Sequence, residues 1–280
     1  MSQDEILRVA AAIQLDRSRA DDGASHILAK NAFEILRTPL PAVGHTERLI
    51  IRFGTLFSRD LLVDIQGLHH IASANDPFIL AANHNQRLEA LVVPMWLSYL
   101  RGGEIIRFMA DWNFLLIPGI ASLLRRGQTI PVTAKPARPK FLNMFKPFLV
   151  RSATGFEAAK EAIAAGKSIG IFPEGTVNSD PTMLLRGHIG AARLSIQTGA
   201  PIVPMGISFP FHNGSKRIPE FAKMSIAIGC PVYPPQLALG ERADTSYEQT
   251  LHAIMMQNIA ELSHKHWNPL SKRGTHHVHQ

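Results

Sequence analysis

The sequence predicts an α/β fold, a mixed and mainly parallel sheet covered by helices, preceded by an N-terminal helical segment. Three observations carry this prediction. From about residue 61 onward, short apolar runs alternate with helix-patterned stretches of about 10–15 residues, the grammar of strands joined by helical crossovers. Two of the runs, PFILAAN (77–83) and SIGIFP (168–173), are apolar almost throughout, as strands buried on both faces are. Before residue 58 the apolar spacing is only of the three-and-four kind that marks helices.

In chain order, DEILRVAAAIQL (4–15) and ASHILAKNAFEILR (24–37) predict helices, and TPLPAVG (38–44) breaks the pattern. LLVDIQGL (61–68) and PFILAAN predict strands, followed by a helix over LEALVVPMWLSYL (88–100). A short strand at IIRFMAD (105–111) leads to a helical WNFLLIPGIASLLRR (112–126) and a strand at QTIPVTA (128–134). GFEAAKEAIAAG (155–166) is an amphipathic helix, SIGIFP a buried strand, and RGHIGAARLSIQTG (186–199) a helix ending at a glycine. Strands at PIVPMGISF (201–209) and MSIAIGCPV (224–232) and a final helix over SYEQTLHAIMMQNIAELSHKH (246–266) complete the pattern. The domain organisation expected is an N-terminal helical segment (1–58), one α/β domain (59–268) and a polar tail (269–280).

With 280 residues, 46% of them hydrophobic, the chain can bury a substantial core, and a charged fraction of 18% excludes a disordered polyelectrolyte. The formal net charge of +7 favours anionic partners such as phosphates, lipid headgroups or an acidic carrier protein. Cys230 is the single cysteine, so no disulfide can form within the chain. The first residues lack the basic start and apolar core of a signal peptide, and no stretch reaches the roughly 18–20 apolar residues of a spanning helix. The basic residues accompany no nucleic-acid-binding motif, so no nucleic acid is expected. Scattered histidines without H-E-x-x-H or a cysteine cluster predict no metal. There is no G-x-S-x-G for a serine hydrolase and no G-x-G-x-x-G after a strand for a dinucleotide.

Two strand ends carry candidate chemistry. PFILAAN stops at Asn83-His84, and Glu89 follows five residues after the histidine. Five residues are about 500° of helix, so the two side chains cannot meet on one straight helix. They can meet if His84 lies in a loop and Glu89 in the first helical turn. The carboxylate would then hold one ring nitrogen while the other takes a proton. Alternatively, Asn83-His84 cap the helix and Glu89 favours its positive end. SIGIFP runs into Pro173, Glu174, Gly175 and Thr176, at the strand end where α/β sheets bind ligands. The plainer reading is a turn with a solvated glutamate.

Four blocks in order, NHNQRLE, FMADWNFLLIPGIASLLRRGQTIPV, FPEGT and IVPMGI, resemble the glycerolipid acyltransferase superfamily, best known for the lysophosphatidic acid acyltransferases. The resemblance covers roughly residues 61–210. It implies an αβ acyltransferase domain that moves a fatty acyl group from acyl-CoA or acyl carrier protein to a hydroxyl of a lyso-lipid or polyol, with no cofactor beyond that co-substrate. It implies His84 as general base, Glu89 in place of the aspartate that orients it, and Glu174, Gly175 and Thr176 in the acceptor-binding block. Pro204 falls in the fourth block. Three departures stand out: Glu89 is one methylene longer than aspartate, Val177 follows FPEGT where relatives place arginine, and Thr133-Ala134-Lys135 follows IPV where relatives place an acid and arginine. Lys135, Arg126 or Arg186 are the candidates to replace the lost phosphate contacts. The alternative is a non-catalytic lipid- or acyl-binding protein that keeps the fold. The segment 133–152 alternates Lys135, Arg138, Lys140, Lys146 and Arg151 with Phe141, Phe145 and Phe148, which share one helical face. It is a candidate for peripheral contact with the inner face of the membrane, in a cytoplasmic protein.

Overall fold

A computed structural model describes residues 26–27, 31–132, 136, 140–145, 154–211, 214, 216–235 and 245–270. The described strands form one sheet in the order β1-β2-β8-β7-β3-β6-β4-β5. These are β1 (His26–Ile27), β2 (Leu62–Gln66), β3 (Ile79–Ala82), β4 (Arg107–Asp111), β5 (Ile130–Val132), β6 (Ile169–Ile171), β7 (Ile202–Ser208) and β8 (Met224–Ile228). Strands β3 to β7 run parallel to one another. β8 is antiparallel to β7 but parallel to β2, and β1 is antiparallel to β2. The carboxyl ends of β3 and β6, neighbours at the centre, therefore open on the same edge of the sheet.

Successive side chains of a strand face opposite sides, and β3 shows the result. Leu80 and Ala82 enter one core with Ile35, Leu40, Ile51, Trp96 and Leu97. Those residues come from or adjoin α1 (Ala32–Arg37), α2 (His45–Phe57) and α3 (Glu89–Leu100). Ile79 and Ala81 enter the other core with Ala159, Ile163, Leu194, Met255 and Ile259. These belong to α5 (Gly155–Ala164), α6 (Gly190–Thr198) and α7 (Thr245–Leu262), which follow α4 (Pro118–Arg126). The first helices thus share a core with the central strands. At Gly206 a Cβ would fall 2.2 Å from the backbone of Leu262, so glycine lets α7 lie directly against β7.

Several elements differ from the sequence expectation. Residues 26–27 form a strand rather than part of a helix, because they complete the sheet edge beside β2. The helix expected over 112–126 breaks at Ile117, which precedes Pro118 and is extended, into a 3-10 turn (Trp112–Leu116) and α4. α6 begins at Gly190, four residues later than expected, and α7 ends at Leu262, before the expected 266. Of the basic insert, Lys135, Arg138, Lys146, Phe148 and Arg151 lie outside the described residues, as does the tail from 271. Residues 140–145 form a 3-10 turn with Phe141 and Met144 exposed.

An ion pair locks the amino ends of the central strands. Arg101, just past α3, gives both carboxylate oxygens of Asp76 a hydrogen bond, at 2.7 and 2.6 Å, and gives Ile71 O another at 2.7 Å. Ser168 Oγ donates to Asp76 and accepts from the Phe78 amide, which adds β6 to the clamp. The Arg101 side chain is 2% exposed, so a lone guanidinium here would be buried without a counter-charge. Asp76→Ala is therefore expected to lower the unfolding free energy by about 3–5 kcal/mol, read from urea denaturation of the two proteins.

Candidate active site

The chain leaves β3 at Asn83, whose side chain ties the sheet edge to the turn that follows, with Nδ2 also donating to Asn85 Oδ1 at 3.3 Å. The Asn83 side-chain amide accepts from the Ile207 N–H at 2.7 Å and donates to Ile207 O at 2.9 Å, tying β3 to β7 beyond the last strand residue. His84 follows in the loop, and Glu89 is the first residue of α3. Chain reversal brings Nδ1 of His84 to 3.2 Å from Oε2 of Glu89. The same oxygen accepts from the Asn85 amide N–H at 2.7 Å, and Oε1 accepts from Asn85 Nδ2 at 3.2 Å. Glu89 has no exposed surface, so these donors stand in for the water its carboxylate has lost. Among the described residues α3 has no side-chain cap, and neither Asn83 nor His84 serves as one.

The histidine ring stacks on Phe172, with centroids 4.4 Å apart and planes 22° from parallel. With Nδ1 facing a carboxylate, the neutral ring carries its proton there and Nε2 is left as the basic nitrogen. Phe172 belongs to the strand end of β6, so the two strand ends meet through these rings.

Glu174 was expected to contact substrate. Its carboxylate is instead turned inward, 2% exposed, and accepts from the His84 amide (3.1 Å), the Leu185 amide (2.9 Å) and Asn178 Nδ2 (2.8 Å). Burial raises its pKa above the usual carboxylate value, opposed by those hydrogen bonds and by Lys265. It braces the β3 loop against the β6 loop. Gly175 turns the chain with φ of +67°, and a Cβ there would lie 2.8 Å from the His188 ring. Thr176 and Val177 face an adjoining cavity.

That cavity has a volume of about 960 Å³ and is mostly apolar. His84, Phe172 and Thr176 line it together with Met95, Phe108 and Phe114. Arg126 is also on its wall, but its Nη1 donates to Glu47 Oε1 at 2.6 Å. The Glu47 carboxyl is held below its usual range by its own backbone N–H first and by Arg126 second. Arg186 is exposed and does not line the cavity; its carbonyl accepts from Trp267 Nε1 at 3.2 Å. Lys135 lies outside the described residues. Pro204 sits in β7 opposite Ala81 of β3, supporting the site from below. Among the described residues no group of three or more His, Cys, Asp or Glu is placed to hold a metal.

Three residues now join the site. Arg87 is exposed on the cavity wall, three positions after His84. Asn178 donates to Glu174, and its amide N–H donates to His84 O at 2.7 Å. Lys265 donates to Asn85 Oδ1 from a point 180 residues away in sequence. Arg87 stood within the first block and was readable by position; the other two carry no local signal.

Comparisons with known proteins identify the family and the fold. The chain is 24% identical over 196 residues to the chloroplastic 1-acyl-sn-glycerol-3-phosphate acyltransferase BAT2 of Brassica napus, covering 68% of this chain and 49% of that one. It thus spans about half the length of the Brassica protein. It is 25% identical over 170 residues to the 1-acyl-sn-glycerol-3-phosphate acyltransferase of Bacillus subtilis (strain 168), covering 59% and 71%. The fold is similar to the crystal structure of the 1-acyl-sn-glycerophosphate (LPA) acyltransferase PlsC from Thermotoga maritima. The TM-score is 0.52 with 20% identity, over 79% of this chain and 81% of that one. The model of the Acyltransferase family matches residues 62–208, a span that includes His84, Glu89 and Glu174 and all of the cavity wall but the part from α2, and takes in over half of the sequence. The chain belongs to the Acyltransferase family.

Proposed function

We propose that the chain is an O-acyltransferase that moves a fatty acyl group from a thioester, acyl-CoA or acyl carrier protein, to the hydroxyl of a lyso-lipid. The observation that carries this reading is the His84–Glu89 contact on the wall of a large apolar cavity. Nε2 of His84 takes the acceptor's hydroxyl proton as the oxygen attacks the thioester carbonyl. The new C–O bond forms, the C–S bond breaks, and the imidazolium returns the proton to the departing thiolate. Glu89 keeps the ring in the tautomer this requires and favours the imidazolium that forms. The extra methylene relative to aspartate is absorbed, since the glutamate reaches His84 from the first residue of α3. The cavity suits an acyl chain. The names of the relatives favour a glycerophosphate-type acceptor. Arg87 is the cation placed for such a headgroup, Arg126 being paired with Glu47.

Purified His84→Ala is expected to lose about 10²–10⁴-fold in transfer rate while melting near the parent temperature. Glu89→Gln should lose turnover more than stability, and Glu89→Asp should keep measurable activity. The assay follows thiol release from a long-chain acyl thioester with a panel of lyso-lipids. Full activity in His84→Ala would overturn the mechanism. Tight acyl-thioester binding without turnover in the parent protein would assign the chain as a lipid-binding member of the family.

A lipid substrate requires contact with a bilayer, and among the described residues no helix is long and apolar enough to cross one. We place a peripheral contact at the inner face of the membrane, made by the basic 133–152 segment together with α2. Leu49, Phe53 and Phe57 recur every four residues along α2 and are exposed, while Ile51 and Thr55 on its other side are buried. Sedimentation with anionic vesicles should show salt-sensitive binding that weakens when Lys135, Arg138, Lys140 and Lys146 become serine, at about 1 kcal/mol per charge near the surface. Phe53→Ser with Phe57→Ser should remove the part that resists salt. Binding indifferent to both sets would place the contact elsewhere.

A further inference from the structure

Lys265 lies beyond the family-matched span, yet its ammonium is inside the site. α7 stops at Leu262, and His264 adopts a left-handed φ of +57° that turns the chain. The chain then runs beside the loop that follows Glu174: the His266 amide donates to Thr182 O at 2.7 Å, and the Leu184 amide donates to His266 O at 2.8 Å. This pairing drives Lys265 inward, leaving it 6% exposed. Its Nζ donates to Asn85 Oδ1 and to the backbone carbonyl of Asp180. Asn85 is the residue whose amide nitrogens both donate to Glu89.

Resting on the acyl-transfer reading, we propose that Lys265 is a positioning residue for that reaction. Its ammonium fixes the Asn85 amide so that the NH₂ side meets Glu89, and it balances the charge of the two buried carboxylates that flank His84. An amide has one acceptor and one donor side, and an ammonium can only donate. With Lys265 Nζ on Oδ1, and Asn83 Nδ2 beside it at 3.3 Å, Asn85 Nδ2 has to face the carboxylate, and of the two donors only Lys265 brings a charge. The charge count follows. With all three charged, Glu89, Glu174 and Lys265 sum to −1 around a neutral imidazole, and proton abstraction brings the cluster to zero. Without Lys265 the same groups pass from −2 to −1, so the ammonium removes one unit of the negative charge that favours imidazolium.

Burial lowers the Lys265 pKa, opposed by Glu174, Glu89 and Asp180 in that order. The other charged or titratable groups near the cluster are Arg87 from the β3 loop, Asp111 at the end of β4, His188 before α6 and the Glu47–Arg126 pair from α2 and α4, all on the cavity wall. His264 and His266 flank Lys265 in the chain. Among the described residues only Lys265 brings a positive charge into hydrogen-bond contact with the groups that hold Glu89.

The test compares the parent protein with Lys265→Met and Lys265→Arg by the pH profile of kcat/KM, by melting temperature, and by NMR titration of the His84 ring, assigned with His84→Gln. In Lys265→Met the acidic limb and the ring titration should move up by about one pH unit, because a nearby cation no longer disfavours imidazolium. Lys265→Arg should keep both where they are in the parent. If Lys265→Met melts below the assay temperature, Lys265→Gln takes its place, keeping a donor without the charge. A limb and ring titration that stay put, with kcat lowered only alongside the melting temperature, would reduce Lys265 to a structural tie and overturn the proposal. A ring titration that moves in Lys265→Met when the parent protein itself shows no turnover would uphold the electrostatic coupling and overturn the acyl-transfer reading.

Discussion

A carboxylate with no exposed surface has to be met by donors, and much of the active edge is arranged to meet Glu89. The turn from Asn83 to Glu89 bends so that His84 Nδ1, the Asn85 amide and Asn85 Nδ2 converge on it. Asn83 anchors that turn to β7, Glu174 holds its backbone from the β6 side, and Lys265 holds Asn85 from below. The sheet supplies the frame. β3 is hydrogen-bonded on both sides to parallel neighbours, so the strand that delivers His84 has little freedom to shift. At the other end of the same strands, Asp76, Arg101 and Ser168 lock α3 to β3 and β6. The helix that carries Glu89 and the strand that carries His84 are therefore fixed relative to each other at both ends.

The His84–Glu89 contact and the apolar cavity beside it are built from different elements. His84 belongs to a loop at the sheet edge. The cavity is walled on one side by α2, α3, α4 and β4 and on the other by β6 with its loop, α5 and α6. Its cations are mostly spoken for. Arg126 is held by Glu47, which leaves Arg87 as the one beside His84.

Much of the fold was legible because burial leaves a period. Ile79 and Ala81 on one side and Leu80 and Ala82 on the other can be read as a strand covered twice, and the alternation with helical stretches gives the parallel order. The separation of His84 from Glu89 ruled out a single helix and pointed to a loop-and-first-turn layout, which is where the structure has them. What could not be read depends on partners far away in sequence. Arg126 looks like a free cation until Glu47, 79 residues earlier, is seen beside it. Glu174 in FPEGT looks solvated or substrate-facing because two of its donors are backbone amides, which have no letter in the sequence, and the third is the Asn178 side chain four residues on. Lys265 in SHKHW reads as a frayed helix end, and only the pairing of His266 with the 182–184 loop turns it inward. The break at Ile117 is written in the proline that follows it, although the apolar pattern continues across both.

The tie between Lys265 and Asn85 also orders events in time. Residues 85 and 265 are separated by 180 positions, which a ribosome adding 5–20 residues per second takes roughly 10–40 s to cross. During that interval β3, its loop and α3 can form their local contacts. The Asn85 amide, however, still lacks the cation that fixes its orientation, and β3 waits for β7 to close its second side. Contacts of such long range slow folding and leave apolar strands uncovered meanwhile. The growing chain therefore carries an unfinished site while these 180 residues are added, with β3 open on one side until β7 is made, an interval in which a holding chaperone would find a substrate.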